Sequence, residues 1–251
     1  MQVRLLVLSD SHLFRSREEE LFRVNTFSAL KVTTDHIRAR NREYDLLVAL
    51  GDLAEDGSAE AYDHFHSLTR DLAGSTVWVR GNHDNFENLE EERLSTFYQS
   101  ELHIGPWHLI FLDTVLEGRG EGRLDPSELE RLEAFLQSYS GGHILIFMHH
   151  QPVLVGSAFI DQLGLQNREN FLKIVSGYQA VKGVVFGHVH QQLDIVHNGI
   201  RFLSMPSASM QFKPGSAKFD LGDPAHGYRT MILHPDGTMA TTVVMVGTGI
   251  S

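Results

Sequence analysis

Cysteine is absent from the 251 residues. That excludes disulfides, thiolate metal sites and cysteine nucleophiles, and leaves any metal to His, Asp, Glu or Asn. Basic residues are scarce: 21 Lys and Arg stand against 32 Asp and Glu, a formal net charge of −11. A phosphate backbone meets a repelling surface, so long nucleic acids are not expected as partners. No stretch is apolar for long enough to cross a bilayer. The amino terminus lacks the basic segment and cleavage site of a secretion signal. The expectation is a complete cytoplasmic protein with no membrane partner, and the missing cysteines agree with a reducing compartment. Internal repeats, low-complexity tracts and linkers are missing too, so residues 1–251 are read as one domain.

What is present is an alternation of short apolar runs with helical patterns. Val3–Leu8, Asp45–Leu50, Thr76–Val79, Leu109–Leu112, Ile144–Met148 and Val181–Phe186 read as strands, several with no polar face and therefore buried on both sides. Arg15–Glu20 is charged and reads as a solvated loop. Phe27, Leu30, Thr34 and Ile37 recur at helical spacing up to about Arg40, and Tyr62, Phe65 and Leu72 mark a second helix starting near Ser58. An acidic helix is expected over Leu89–Tyr98. Asp125-Pro126-Ser127-Glu128 combines an N-cap, a proline at the first helical position and a glutamate three residues on, starting a helix that runs to about Tyr139. A last helix covers Asn170–Ser176. Beyond it the pattern changes: Leu193–Val196 and Ile200–Leu203 flank Asn198-Gly199, and Tyr228–Leu233 and Thr238–Val246 flank Pro235-Asp236-Gly237, two hairpins. The order implies an α/β layered fold with a mixed sheet component. The β-forming run Thr241–Val246 is expected as an internal, paired strand rather than an exposed edge.

Five strand ends carry polar clusters: Asp10-x-His12, Gly51-Asp52, Gly81-Asn82-His83-Asp84, His149-His150 and His188-x-His190. Ligands of open α/β sheets sit at the carboxyl ends of strands, where all five fall. Gly81 allows a sharp turn after its strand, and Asp84 offers a carboxylate to orient the His83 imidazole. Spacing of two puts Asp10 with His12, and His188 with His190, on one side of an extended segment, so each pair can converge on one ion. Asp10, His12, Asp52, Asn82, His149, His188 and His190 are too many for one ion. They suit two metals about 3.5–4 Å apart, bridged by one carboxylate. Imidazole mixed with hard oxygen suits manganese, iron or zinc rather than calcium. A lone His or Asp after a strand is more often a capped turn, and the remaining histidines and Asp113 are read that way.

In this order the blocks D-x-H, G-D, G-N-H-[DE], an apolar run ending in His, and G-H-x-H resemble the calcineurin-like metallophosphoesterases. The resemblance implies their fold, a sandwich of two mixed β-sheets flanked by helices (α/β/β/α), here with C-terminal β-hairpins. It also implies a first metal on Asp10, His12, Asp52 and His190, and a second on Asp52, Asn82, His149 and His188, with Asp52 bridging. His149 is preferred to His150 on its separation from the G-H-x-H block. His83 becomes the catalytic histidine, supported by Asp84, and His12, Asp52, Asn82, His83, His149 and His190 face the substrate.

Segments that reach beyond the ligands are similar to the bacterial class III cyclic AMP phosphodiesterases: Asp10-Ser11-His12-Leu13-Phe14, Val24-Asn25-Thr26, Gly51-Asp52-Leu53-Ala54-Glu55-Asp56, Gly156-Ser157, Ile160-Asp161-Gln162, Gly187-His188-Val189-His190-Gln191 and Gln211-Phe212-Lys213-Pro214. Arg23 departs from them, standing where those enzymes often have Gly, a change that bears on the entrance loop. The implied reaction is hydrolysis of 3',5'-cyclic AMP to 5'-AMP by a hydroxide bridging two divalent ions, iron or manganese ahead of zinc. Two ions offset by Asp10, Asp52 and hydroxide leave about one positive charge, which matches a diester monoanion. The alternatives are a broad phosphodiesterase acting on glycerophosphodiesters or 2',3'-cyclic nucleotides, and a non-catalytic metal-binding scaffold, against which an intact His83 argues. A homodimer is expected, as for relatives.

Overall fold

Apolar runs with no polar face need a layer on each side, and the chain supplies both. The computed structural model describes residues 2–89 and 95–247. Along the chain run β1 (Val3–Leu8), the short β2 (Glu20–Leu21) and β3 (Val24–Asn25), α1 (Thr26–Ala39), β4 (Leu46–Leu50), α2 (Ala59–Thr69) and β5 (Ser75–Val79). A 3₁₀ turn (Phe86–Asn88), β6 (Glu101–Ile104), β7 (Trp107–Leu112), α3 (Pro126–Ser138), β8 (His143–Met148), α4 (Ala158–Asp161), α5 (Arg168–Val175) and β9 (Val181–Phe186) follow. The chain closes with β10 (Leu193–His197), β11 (Ile200–Ser204), β12 (His226–Leu233) and β13 (Met239–Val246).

Two mixed sheets result, one in the order β13-β12-β1-β4-β5 and one in the order β10-β11-β9-β8-β7-β6. In the first, β1, β4 and β5 are parallel and the last hairpin returns to pair β12 antiparallel with β1. In the second, β7, β8, β9 and β11 are parallel, with β6 and β10 antiparallel at the edges. Period-two alternation then separates the layers. Val3, Leu5 and Val7 join Leu109, Phe147 and Val185 in a core between the sheets. Leu6 and Leu8 pack instead with Leu30 and Ile37 of α1 and Phe65 of α2. Leu132 and Leu136 of α3 and Phe171 of α5 cover the outer face of the second sheet. The order of layers is the α/β/β/α sandwich with C-terminal hairpins.

The cap residues act as their chemistry requires. Side chains of Asn25, Ser58 and Asp125 accept from Ser28, Ala61 and Ser127 N–H, with Pro126 opening α3. Some readings change, and one is left untested. Edge strand β6, the small β2–β3 ribbon and the four-residue α4 carry too little pattern to be seen in sequence. Helix α5 begins at Arg168 rather than Asn170. The helix expected over Leu89–Tyr98 lies largely outside the described residues, although 95–97 are helical. Thr241–Val246 belongs to an edge strand, not an internal one, because among the described residues β13 pairs only with β12. No helix among the described residues is long and apolar enough to cross a membrane.

This topology positions the site. Parallel β1, β4 and β5 present their carboxyl ends side by side, and those of β8 and β9 meet them from the facing sheet. Backbone bonds tie the ends together: Asp10 N–H donates to Gly51 O at 3.0 Å and His12 N–H to Asp52 O at 2.9 Å.

Candidate metal centre

The five strand ends converge. Asp10, His12 and His190 form one group whose donor atoms lie within 4.8 Å of one another; Asp10, Asp52 and His149 form a second, and His149, His150 and His188 a third. The Asn82 amide oxygen lies 3.2 Å from His149 Nε2. Asp10, His12, Asp52, His149, His188 and His190 are all buried, Asn82 is half-buried, and His83 stands exposed at the rim. All seven residues expected as ligands are therefore brought together at the floor of one cavity or directly behind it.

The orientation of the rings shows what the cluster can hold. His149 Nδ1 lies 2.7 Å from Leu50 O and His190 Nδ1 2.8 Å from Met210 O; a carbonyl only accepts, so both nitrogens carry the proton. His12 Nδ1 donates in the same way to Glu55 at 2.7 Å. Each Nε2 thus turns a lone pair inward. Those of His12 and His190 face each other across 3.1 Å, and that of His149 faces Asp52 Oδ2 at 3.2 Å. His188 Nε2 is buried with no hydrogen-bond partner. Lone pairs converging on lone pairs repel unless cations stand between them, and anchoring one ring nitrogen to a carbonyl or carboxylate is how proteins aim a histidine at a metal. The donor set of imidazole and oxygen, divided into overlapping groups, fits two transition-metal ions.

The electrostatics agree. Burial alone would raise the Asp52 carboxyl, yet the His149 and His12 rings hold it well below its ordinary value. Asp10, likewise opposed by burial, is held down by His190. Burial would lower His149, but Asp52 pushes it up to about 9. Burial and the neighbouring His149 bring His188 down to about 3. Without a metal, the positive charge that keeps both carboxylates ionised sits on the neighbouring imidazoles, and His149 Nε2 then holds a proton toward Asp52. A bound cation would take the place of that charge and free the lone pairs.

Several readings from spacing need correction. Asp10, His12, Asp52, His188 and His190 all have positive φ, from 47° to 66°, so none of these segments is extended. The left-handed turns let Asp10 and His12 share a group but send His188 and His190 to different ones. Such backbone costs about 1–3 kcal/mol per residue and persists where surrounding bonds over-determine it. Here His188 N–H donates to Asp10 Oδ1 at 3.0 Å, and Ser207 and Ser209 hydroxyls both donate to Asp10 O, at 2.7 and 2.8 Å. Gly81 is a matter of room rather than of turning: a Cβ there would collide with the Asp52 backbone nitrogen and carboxylate.

Asp84 does not hold His83. Its Oδ1 accepts from Leu53 and Ala54 N–H, both at 3.0 Å, and its Oδ2 from Gly81 N–H at 2.9 Å. Burial and the charge of Asp52 push this carboxyl up to about 7. Asp84 ties the turn after β5 to the turn after β4. The residue beside the His83 ring is Glu55, whose Oε2 lies 3.1 Å from His83 Nδ1 and 2.7 Å from His12 Nδ1. In sequence Glu55 stands out only as part of the segment Gly51-Asp52-Leu53-Ala54-Glu55-Asp56. Its place three residues after Asp52 was the available signal, and the turn that folds it back is not visible in spacing. His12, Glu55 and His83 form a fourth group able to hold an ion. His150 stays in the group with His149 and His188; its Nδ1 lies 2.8 Å from the Thr114 hydroxyl, and its Nε2 is buried with no hydrogen-bond partner. Asp113, read as structural, pairs with Arg80 at 3.1 Å.

Three comparisons bear on this geometry. The model of the calcineurin-like phosphoesterase family matches residues 3–192. The chain is 39% identical over 251 residues to the 3',5'-cyclic adenosine monophosphate phosphodiesterase CpdA of Vibrio vulnificus (strain CMCP6), covering 98% of this chain and 91% of that one. With the enzyme of the same name from Escherichia coli (strain K12) the identity is 37% over 247 residues, covering 96% and 89%. Among solved structures, a dimetal phosphatase from Danio rerio is similar with a TM-score of 0.67 at 15% identity, covering 97% and 98%, a likeness of fold.

Proposed function

The chain belongs to the calcineurin-like phosphoesterase family, and on that premise we propose that it hydrolyses 3',5'-cyclic AMP to 5'-AMP at a binuclear metal centre. The observation that carries the reading is the set of inward-facing Nε2 atoms and carboxylates, in a chain alike along nearly its whole length to curated cyclic AMP phosphodiesterases. Asp10, His12, Asp52 and His190 would hold one ion, and Asp52, Asn82, His149 and His188 the other, with iron or manganese preferred to zinc. When bound, such ions supply Lewis acidity, activating water and neutralising charge on the phosphoryl oxygens.

The protein's own groups do the rest. Asn82 and the inward rings place the diester against the floor of the cavity, and the left-handed turns at His12, His188 and His190 hold those three rings without rearrangement. Water adds to phosphorus, the bond to the 3'-oxygen breaks, and that oxygen must take a proton. His83, with Nδ1 against Glu55, delivers it from Nε2. Glu55 is a positioning residue, setting the rings of His12 and His83 at once. Glu55→Gln is expected to lower kcat/KM by about 10–100-fold and to weaken metal binding within the same range. Activity loss with unaltered metal affinity would restrict its role to His83.

Product analysis of cyclic AMP with metal-reconstituted protein tests the whole reading. It should show 5'-AMP, and plasmid DNA should be a poor substrate for so acidic a chain. Turnover of glycerophosphodiesters or 2',3'-cyclic AMP with none of 3',5'-cyclic AMP would replace it by the broader activity. We also read residues 1–251 as one domain, cytoplasmic, and associating as a homodimer. The support for the last is that β13 presents an unpaired edge with Met245 44% exposed. Light scattering that finds a monomer at every concentration removes the dimer.

A further inference from the structure

The cavity above the donors has two unlike walls. Its volume is about 290 Å³, near the lower end for small-ligand sites. Polar side chains occupy the floor, and the far wall is formed by Leu21, Phe22, Phe159, Leu163, Phe212 and Phe219. Rings lead from floor to mouth: Phe212 stacks on His190 at 4.1 Å with planes 3° apart, and Phe219 lies 5.5 Å from Phe212. At the mouth Phe22 and Phe219 meet at 4.8 Å, yet they remain 49% and 41% exposed. Two large aromatic residues brought from distant segments and left open to water are an apolar patch that asks for an occupant.

The backbone adds an independent sign. Phe22 and Arg23 form the tip of the β2–β3 ribbon with φ of 52° and 68°. Two successive non-glycine residues in the left-handed region are strained, and strain of this kind collects where a side chain must be aimed. Arg23, the residue that departs from the similar enzymes, occupies one of these positions, where glycine would be unstrained. The turn carries Phe22 out over the cavity against Phe219.

Resting on the function proposed above, we infer that Phe22 and Phe219 are the nucleobase platform of the site: the heterocycle of the cyclic nucleotide stacks on this pair while its phosphate lies on the donors below. That wall is apolar, and the charged and amide side chains that line the same cavity, Asp52, Glu55 and Asn82 with His83 at the rim, belong to the donor side. The base is therefore gripped through its π-face, and its edge is not read by hydrogen bonds. Stacking without edge contacts tolerates different bases, and a site that makes no hydrogen bond to a group cannot strongly reject its absence. Cyclic AMP and cyclic GMP should be turned over with kcat/KM within about tenfold of each other, and the smaller pyrimidine rings less well.

Phe22→Ala and Phe219→Ala in the metal-loaded, full-length protein test the platform. The substrates are cyclic AMP, cyclic GMP and the base-free 1-O-methylribose 3',5'-cyclic phosphate, followed by phosphorus NMR. Each variant should lose about 5- to 150-fold in kcat/KM on the nucleotides, and the loss should be confined to them. Calorimetric affinity for 5'-AMP should fall by a similar factor, and Phe22→Trp should restore both. Equal loss on the base-free diester would make the pair a structural wall of the metal centre and overturn the platform. So would unaltered nucleotide turnover in both variants while the parent remains active on cyclic AMP. A parent inactive on every cyclic nucleotide but active on methyl 4-nitrophenyl phosphate would instead overturn the functional reading, and the platform with it.

Discussion

Replacing Asp52 by alanine is expected to remove cyclic AMP turnover and to leave the protein unable to retain either metal ion. Asp52 is the carboxylate that faces both halves of the cluster, with Oδ2 3.2 Å from His149 Nε2 and 3.8 Å from His12 Nε2. Its Oδ1 accepts the His83 N–H at 2.9 Å, which also ties the turn after β5 to the one after β4. Losing an outer partner of a metal ligand costs about 10–100-fold. Losing a shared ligand affects two ions together, so the loss in kcat/KM should exceed that range. Elemental analysis should find roughly two ions in the parent and next to none in Asp52→Ala. By the assignment proposed above, Asp10→Ala and Asn82→Ala each remove a ligand of one ion and should keep more metal; Asp10 also groups with Asp52 and His149, which makes its variant the sharper test of the bridge. Asp52→Asn retains the shape and an acceptor for the His83 N–H. If it folds normally, its metal loss reports the missing charge rather than a collapsed turn. An Asp10 or Asn82 variant that loses more metal than Asp52→Ala would show that the shared ligand lies elsewhere.

The second large effect belongs to His83, and it depends on the leaving group. The ribose 3'-alkoxide is strongly basic and leaves only when protonated, so a positioned imidazole is worth about 10²–10⁴-fold in rate. His83→Ala should lose that factor on cyclic AMP with metal content near the parent's, because the Asn82 amide rather than the His83 ring lies at His149. Nitrophenolate departs without help, so the variant should keep far more of its activity on methyl 4-nitrophenyl phosphate. Equal losses on both substrates would mean that His83 stabilises a phosphoryl oxygen in the transition state instead. Loss of metal would place His83 among the ligands, as its group with His12 and Glu55 permits.

Strands β1, β4, β8 and β9 were legible because parallel strands buried on both faces leave continuous apolar runs, and a polar tip after such a run stands out. Helices α1, α2 and α3 were legible through their caps, which are local chemistry. The ribbon β2–β3 was not, because two residues a strand carry no period. Nor was the edge position of β13, since a hairpin sequence pairs its own two strands and says nothing of what lies on the far side.

The candidate site divides along the same line. Which residue types gather, and at which strand ends, was determined by the sequence alone, because a parallel α/β order sends those ends to one edge whatever the details of packing. Which ring faces which partner was decided only by tertiary structure. His188 and His190 are two residues apart yet join different groups, because left-handed φ at both overrides the alternation of an extended chain. Asp84, next to His83, is drawn away by three backbone N–H groups of neighbouring turns, and Glu55, 28 positions earlier in the chain, takes its place. Proximity along the chain ranks candidates for contact. Backbone dihedrals in the turns and the competition of buried N–H donors for carboxylates settle it, and both exist only once the two sheets have met.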